Sequence, residues 1–230
     1  LNILTGYCGQ VSLGTGGFMA VGAFATYKIM TFFPELNIMI IVLLSGVITA
    51  FVGILFGLPS LRIKGFYLAV ATLASQFFII WLFNKVPWFY NYSDTGQITV
   101  SERTMFGVAV TGANAPPYAT YLFCLILVVV LGFAAKNMIR SKIGRSWMAI
   151  RDMDIAAEII GVPPLKTKLS AFAISSFYIG IAGSLYFAVY LGALEVTESF
   201  DIMAISFPVL FMIIIGCLLY TSPSPRDVRS

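Results

Sequence analysis

Six apolar stretches alternate with polar segments along the chain. They cover residues 11–31, 38–58, 66–83, 119–135, 169–190 and 202–219. About 20 helical residues, at ~1.5 Å each, cross the ~30 Å hydrocarbon core of a bilayer, and the stretches are close to that length. They are long and unbroken, without the alternation of a barrel strand, so the pattern predicts helices. The predicted fold class is an all-α, polytopic integral membrane protein with about six transmembrane helices.

The composition supports a chain embedded in lipid. Hydrophobic residues make up 59% of the sequence and charged residues 10%, whereas a soluble domain has about 25% charged residues. Membrane lipid must therefore cover most of the surface. The net charge of +4 is not gathered into one stripe, which argues against nucleic acid as a partner. His is absent and Cys8, Cys124 and Cys217 have no CxxC spacing, so we expect packed thiols, no metal site and no cofactor.

Basic residues give the predicted orientation. Segment 59–65 contains Arg62 and Lys64, and segment 136–168 contains most of the other basic residues. The opposite loops have few basic residues and several acidic ones; these loops are 32–37, 84–118 and 191–201. Loops rich in Lys and Arg stay in the cytoplasm. The sequence therefore predicts that 59–65 and 136–168 are cytoplasmic.

The apolar stretches contain few ionisable groups. Residues 38–58, 66–83 and 169–190 have no charged side chain. Proton relays and ion-coupled carriers usually need ionisable residues inside the membrane. An energy source outside the membrane is therefore favoured, and an ion-coupled carrier is the weaker alternative.

Residues 5–22 are unusually rich in glycine. Each glycine costs about 1 kcal/mol relative to alanine in a helix. Such a segment is either unwound backbone that lines a cavity or a surface for close helix packing, and the residues leave both interpretations open. The residues assigned to a candidate translocation path are Gly6, Gly9, Gln10, Ser12, Gly14, Thr15 and Gly16.

Residues 146–160 are predicted to form one amphipathic helix on the membrane surface. Its apolar positions recur at spacings of three and four; they are Ile150, Met153, Ala157 and Ile160. Arg151, Asp154 and Glu158 share another face, on which Arg151 can pair with Asp154. Gly161 suits the end of the helix, and two prolines follow it. Such a helix either docks in a groove of a partner protein or lies among lipid headgroups.

Three blocks of the sequence resemble a known family. They are Leu1-Asn-Ile-Leu-Thr-Gly-Tyr-Cys-Gly-Gln-Val-Ser-Leu-Gly14, Gly57-Leu-Pro-Ser-Leu-Arg-Ile-Lys-Gly-Phe-Tyr-Leu-Ala-Val-Ala-Thr-Leu-Ala74 and Asp154-Ile-Ala-Ala-Glu-Ile-Ile-Gly161. The blocks resemble the branched-chain amino acid permeases of the LivM type, and the third resembles the EAA loop of ABC importer permeases. Thr15 stands where that family often has His, and Asp154 stands where Glu is commoner.

The resemblance implies the permease subunit of an ATP-binding-cassette importer in a bacterial inner membrane, which translocates leucine, isoleucine and valine. The partners it implies are two cytoplasmic ATP-binding subunits, a second homologous permease subunit and a periplasmic substrate-binding protein. The residues it implies for coupling to the ATPase are Arg151, Asp154, Ala156, Ala157, Glu158 and Gly161. A permease for urea or short amides is the closest alternative.

The sequence contains no catalytic motif that we recognise. GxxxxGK[ST], HExxH and GxSxG runs are absent from it, so we predict that the chain is not an enzyme and that separate subunits hydrolyse ATP. Residues 1–216 are expected to form the permease transmembrane domain, incomplete at both ends. Residues 217–230 are expected to be a non-native tail, because Ser222-Pro-Ser-Pro225 breaks sharply from the preceding apolar run.

Overall fold

The computed structural model describes residues 1–60, 67–92, 97–105, 108–112 and 115–221. Its α-helices are α1 (Thr15–Phe32), α2 (Ile38–Ser60), α3 (Tyr67–Lys85), α4 (Pro117–Arg140), α5 (Lys142–Asp152), α6 (Asp154–Ile159), α7 (Pro164–Leu185), α8 (Val196–Ser199) and α9 (Phe207–Thr221). Three π-helical segments accompany them, at Ile3–Tyr7, Tyr186–Leu191 and Ile202–Ser206. Each predicted stretch overlaps one of the helices α1, α2, α3, α4, α7 and α9, which agrees with the all-α class. The Arg62 and Lys64 pair and residues 222–230 lie outside the described residues.

Four helical segments of the described chain are long and apolar enough to cross a membrane. They are Ile38–Pro59, Leu68–Lys85, Pro117–Arg140 and Pro164–Leu191, and a shorter apolar helix covers Ile202–Ile215. The predicted polytopic membrane class is therefore confirmed. The helix of the first predicted stretch begins later than expected, at Thr15 instead of residue 11, because residues 9–14 form no regular secondary structure.

Close contacts between small residues join α1, α2 and α7 into the centre of the fold. A Cβ built on Gly22 of α1 would lie 2.2 Å from the carbonyl oxygen of Gly180 in α7. One built on Gly183 would lie 2.1 Å from the carbonyl oxygen of Met19. Across the other side of α7, a Cβ on Gly180 would lie 2.4 Å from Oγ1 of Thr49 in α2. Glycine is required here because it lets helix backbones touch, as is common in membranes.

The helix α4 packs far less tightly. Within it the buried residues are Phe123 and Leu127, while side chains such as Val128, Val130 and Phe133 are exposed. Exposed aliphatic and aromatic groups along a helix of this length are suited to contact with lipid or another membrane subunit.

Short strands cover one end of the helices. The strand β1 (Ile98–Thr99) pairs antiparallel with β4 (Ala193–Leu194), and β2 (Arg103–Met105) pairs antiparallel with β3 (Val108–Thr111). The strand β3 contacts α4 near the start of that helix. The helix α5 follows directly after the C-terminal end of α4. The strand β3 and the helix α5 therefore lie at opposite ends of α4.

Candidate functional site

The glycine-rich segment enters the fold as irregular backbone. After the π-helical turn Ile3–Tyr7 the chain bends at Gly9, whose φ of +69° lies in the left-handed region that favours glycine. Residues 9–14 then lead to the start of α1 without regular structure. Unwound backbone, one of the two interpretations of this segment, is therefore present. It lies before α1 and not within it.

Further along the same segment, glycines bring α1 close to α3. A Cβ on Gly14 would lie 2.8 Å from the carbonyl oxygen of Thr72, and one on Gly16 would lie 2.7 Å from Nε2 of Gln76. Either contact is too short for a real Cβ. Close packing is thus confirmed for Gly14 and Gly16, and their role in a translocation path stays a prediction.

A chain of hydrogen bonds connects α1, α3 and the backbone that precedes α9, which includes the π-helical segment Ile202–Ser206. The Gly16 N–H donates to Ser206 Oγ over 2.9 Å, and the Ser206 hydroxyl donates to Gln76 Oε1 over 2.7 Å. The Gln76 amide in turn donates to the Phe200 carbonyl oxygen over 3.4 Å. Gln76, Phe200 and Ser206 are completely buried. We call Thr15, Gly16, Gln76, Phe200 and Ser206 the polar junction.

Other polar groups of the segment lie nearby along the chain. Ser12 Oγ accepts from the Gly14 N–H, and Thr72 Oγ1 accepts from the Leu13 N–H. Thr15 and Gln10 are buried, and among the described residues Thr15 Oγ1 and Gln10 Oε1 have no hydrogen-bond partner. Buried polar atoms are usually paired, so these two are exceptions that need a reason.

Sequence reasoning identified Gln10, Ser12 and Thr15 but missed Gln76 and Ser206. A glutamine in the uncharged stretch 66–83 was a usable signal, because a polar side chain within a predicted membrane span is expensive and often functional. Ser206 carried no such signal, since serine is common in membrane helices.

The predicted helix at 146–160 is wrong as a single element. It is divided into α5 and α6 at Met153, whose backbone is extended (φ −153°, ψ 100°). Aspartate is unfavourable inside a helix and favourable in its first turn, and Asp154 occupies the first turn of α6. The break turns Asp154 towards Lys168, with which it forms an ion pair. The expected pairing of Arg151 with Asp154 is therefore wrong.

The predicted apolar face is also divided. Ile150 and Ala157 are buried, but Met153 and Ile160 are exposed, and 82% of Ile160 is accessible. Because α6 starts anew, its outer surface carries a patch of large apolar side chains beside the exposed Glu158. We define the α6 patch as Met153, Ile155, Ile159 and Ile160. The prediction did not include Ile155 or Ile159, although their i, i+4 spacing was visible in the sequence.

Gly161 ends α6 as predicted. Its φ is +94°, its N–H donates to the Glu158 carbonyl oxygen over 3.0 Å, and the N–H of Val162 donates to that of Ala157 over 3.0 Å. These bonds satisfy carbonyl groups at the helix end. The next helix, α7, then starts at Pro164.

Arg151 connects the α5–α6 pair to the glycine-rich segment. Its Nη1 donates to the Gly6 carbonyl oxygen over 2.9 Å, and its other nitrogens bond Asp152 at 3.0 Å. A Cβ on Gly9 would lie 3.1 Å from Arg151 Cγ. One turn earlier in α5, the buried Trp147 donates from Nε1 to Ser170 Oγ of α7 over 3.0 Å. The two residue sets predicted separately therefore meet at Arg151.

Cys8 lies beside this contact and is buried. Burial raises the pKa of the Cys8 thiol to about 11, with smaller opposing influences from Lys168 and Asp154. The thiol is therefore protonated at neutral pH, which suits a packing group and not a nucleophile.

Comparison with known protein families gives a match along residues 1–225. The family is described as "Branched-chain amino acid transport system / permease component". The chain belongs to this permease family. The match confirms the resemblance identified from the three sequence blocks, and it agrees with the membrane-spanning helices of the structure.

Curated relatives of the permease are similar over part of their own length. Two are named "High-affinity branched-chain amino acid transport system permease protein LivM": that of Salmonella typhimurium is 32% identical and that of Escherichia coli 31%, each over 208 residues. These alignments cover 82% of this chain and 48% of each relative. A "Probable ABC transporter permease protein y4mJ" of Sinorhizobium fredii is 30% identical over 149 residues, or 62% of this chain and 41% of that protein. The chain thus spans about half the length of the curated relatives it matches. No solved structure matches it.

Proposed function

We propose that this chain is the membrane conduit of an ATP-driven importer for branched-chain amino acids, and that the α6 patch receives the force. The proposal is supported by family membership and by one structural observation. The α6 patch is apolar and exposed, and it belongs to a segment whose Arg151 holds the glycine-rich segment. An exposed apolar patch with a charged rim is typical of a docking surface.

The orientation follows from the distribution of charge. The segment 136–168 holds seven of the 14 Lys and Arg residues, which supports a cytoplasmic position for the α5–α6 end. The paired strands at the other end then face the periplasm, where a substrate-binding protein delivers its cargo. Two ATP-binding subunits and a second homologous permease complete the importer.

The mechanism starts at α6 and ends at the polar junction. When the ATP-binding subunits close, they move the α5–α6 pair, which Trp147 also fixes to α7. Arg151 transmits this displacement to Gly6 and to the bend at Gly9. Residues 9–14 have no helical ladder to break, so a shift relative to α3 gives up the bond from the Leu13 N–H to Thr72 Oγ1 and the contact of Gly14 with Thr72, and it opens or closes the conduit.

Transport by the complete importer tests the proposed function. The full-length protein is reconstituted in proteoliposomes with its cognate ATP-binding subunits, second permease and binding protein. We expect uptake of leucine that requires ATP and persists when a protonophore removes ion gradients. Uptake of urea but not leucine, or uptake driven by an ion gradient without ATP, would contradict the proposal.

Replacing Arg151 should weaken coupling without unfolding the protein. Arg151→Met removes the hydrogen bond to the Gly6 carbonyl oxygen, which is partly exposed and therefore contributes about 1 kcal/mol. We expect the amount of leucine imported per ATP hydrolysed to fall about fivefold. Arg145→Met removes an exposed cation from the same helix and serves as the matched control. Equal coupling ratios for the two variants would show that Arg151 transmits nothing.

A further inference from the structure

The polar junction is closed but keeps unused hydrogen-bonding capacity. Gly16 is packed against Gln76 and Ser206, so a Cβ there would lie within 3.0 Å of both. The hydroxyl of Thr15, whose side chain is 3% exposed, has no partner among the described residues. Leaving such a group unpaired is costly, and a bond that the hydroxyl makes in another state of the protein would account for it.

The start of α1 is suited to an anion. Gly14 occupies the N-cap position without a side-chain cap, and the first turn contains no acidic residue. The N-terminal end of a helix carries a partial positive charge and N–H groups that need acceptors. One of them, the Gly16 N–H, donates to Ser206 Oγ, a side-chain acceptor and not a backbone one.

The opposite wall of the junction offers acceptors. Phe200 and Ser206 belong to irregular and π-helical backbone that passes from β4 into the helix packing. The Phe200 carbonyl oxygen receives one long bond of 3.4 Å from Gln76, whose own Oε1 accepts from Ser206. Donors at α1 therefore face acceptors at Gln76 and Phe200, between two interruptions of helical structure. Discontinuous helices of this kind hold polar substrates in other transporters.

We propose that the polar junction binds the zwitterionic backbone of an α-amino acid during its passage. The carboxylate accepts hydrogen bonds from the Gly16 N–H and the Thr15 hydroxyl. The ammonium group donates hydrogen bonds to the carbonyl oxygens of Phe200 and Gln76. The bridge from Gly16 through Ser206 to Gln76 replaces these bonds when the conduit is empty, which keeps the junction closed. This inference rests on the proposed function and adds the place where the substrate is held.

Equilibrium binding of L-leucine tests the site. The importer complex without its binding protein is placed in nanodiscs, and Kd is measured with radiolabelled L-leucine. Thr15→Val removes an unpaired hydroxyl, so Tm should stay the same or rise, while the Kd for leucine rises about tenfold. In Thr15→Val, the Kd for isocaproate, which keeps the carboxylate of leucine, should rise by a similar factor. The Kd for isopentylamine, which lacks the carboxylate, should stay the same. Thr15→Ser keeps the hydroxyl and should restore binding.

Thr26→Val is the matched control in the same helix. Thr26 is completely buried, donates to the Gly22 carbonyl oxygen over 2.8 Å and bonds Ser184 Oγ, so its loss should lower Tm and leave Kd unchanged. An unchanged Kd in Thr15→Val overturns the site, even if the wild-type importer moves leucine with ATP. If Thr15→Val does not assemble, Thr15→Ala answers the same question by the same criterion. Failure of the wild-type complex to import leucine would instead defeat the proposed function.

Discussion

Leucine in place of Gly22 should prevent α1 and α7 from packing. The glycine Cα faces the Gly180 backbone so closely that a Cβ would lie 2.2 Å from its carbonyl oxygen, and a backbone atom cannot rotate away. Overpacking of a core by smaller changes costs about 1–3 kcal/mol, so we expect about 3 kcal/mol or more. The full-length protein in detergent should unfold about 10 °C lower, as measured by the change in its tryptophan fluorescence.

The matched control for Gly22→Leu is Gly132→Leu in α4. A Cβ on Gly132 would meet no atom within 4 Å among the described residues, so the same substitution should leave Tm almost unchanged. Similar losses in the two variants would show that the contact between α1 and α7 does not determine stability.

Charge reversal on the α6 patch should abolish transport while the protein still inserts and folds. Ile159 is 81% exposed and Glu158 is exposed beside it, so Glu158→Lys combined with Ile159→Asp disturbs no internal packing. A charge placed in an apolar docking surface, at positions that contact the partner, should cost more than about 2 kcal/mol of binding. We expect ATP-driven leucine uptake to fall at least about thirtyfold, with Tm within error of the wild type.

A conservative pair of substitutions controls for the positions themselves. Glu158→Gln with Ile159→Leu keeps the size and the apolar surface and should retain most of the uptake. Wild-type uptake by the charge-reversed protein would remove α6 from the coupling mechanism.

The long helices were predictable because length and hydropathy alone determine them. An uncharged run of this length, such as 38–58, predicts a membrane-spanning helix, and α2 covers it. The start of α1 was less predictable. Val11 and Leu13 continue the apolar pattern of the stretch, although residues 9–14 form no helix in the structure.

The break at Met153 was missed because the apolar spacing across it suits one helix. The preference of Asp154 for a first turn, together with its ion pair to Lys168, outweighed that periodicity. Contacts between segments that are far apart in the sequence could not be predicted from local patterns. Gly16 and Ser206 are 190 positions apart, and the Arg151 contact with Gly6 spans 145 positions, so neither could be inferred from spacing.

Chemical labelling of a cysteine placed in the α6 patch tests the central claim that this patch faces the cytoplasm and receives the ATPase. Ile159→Cys is compared with Glu195→Cys, a second exposed position, which follows β4 at the other end of the molecule. In intact spheroplasts, a membrane-impermeant maleimide should label only Glu195→Cys. In inside-out vesicles it should label Ile159→Cys, and the ATP-binding subunits should protect that cysteine. Labelling of Ile159→Cys from outside, or no protection by those subunits, would contradict the account.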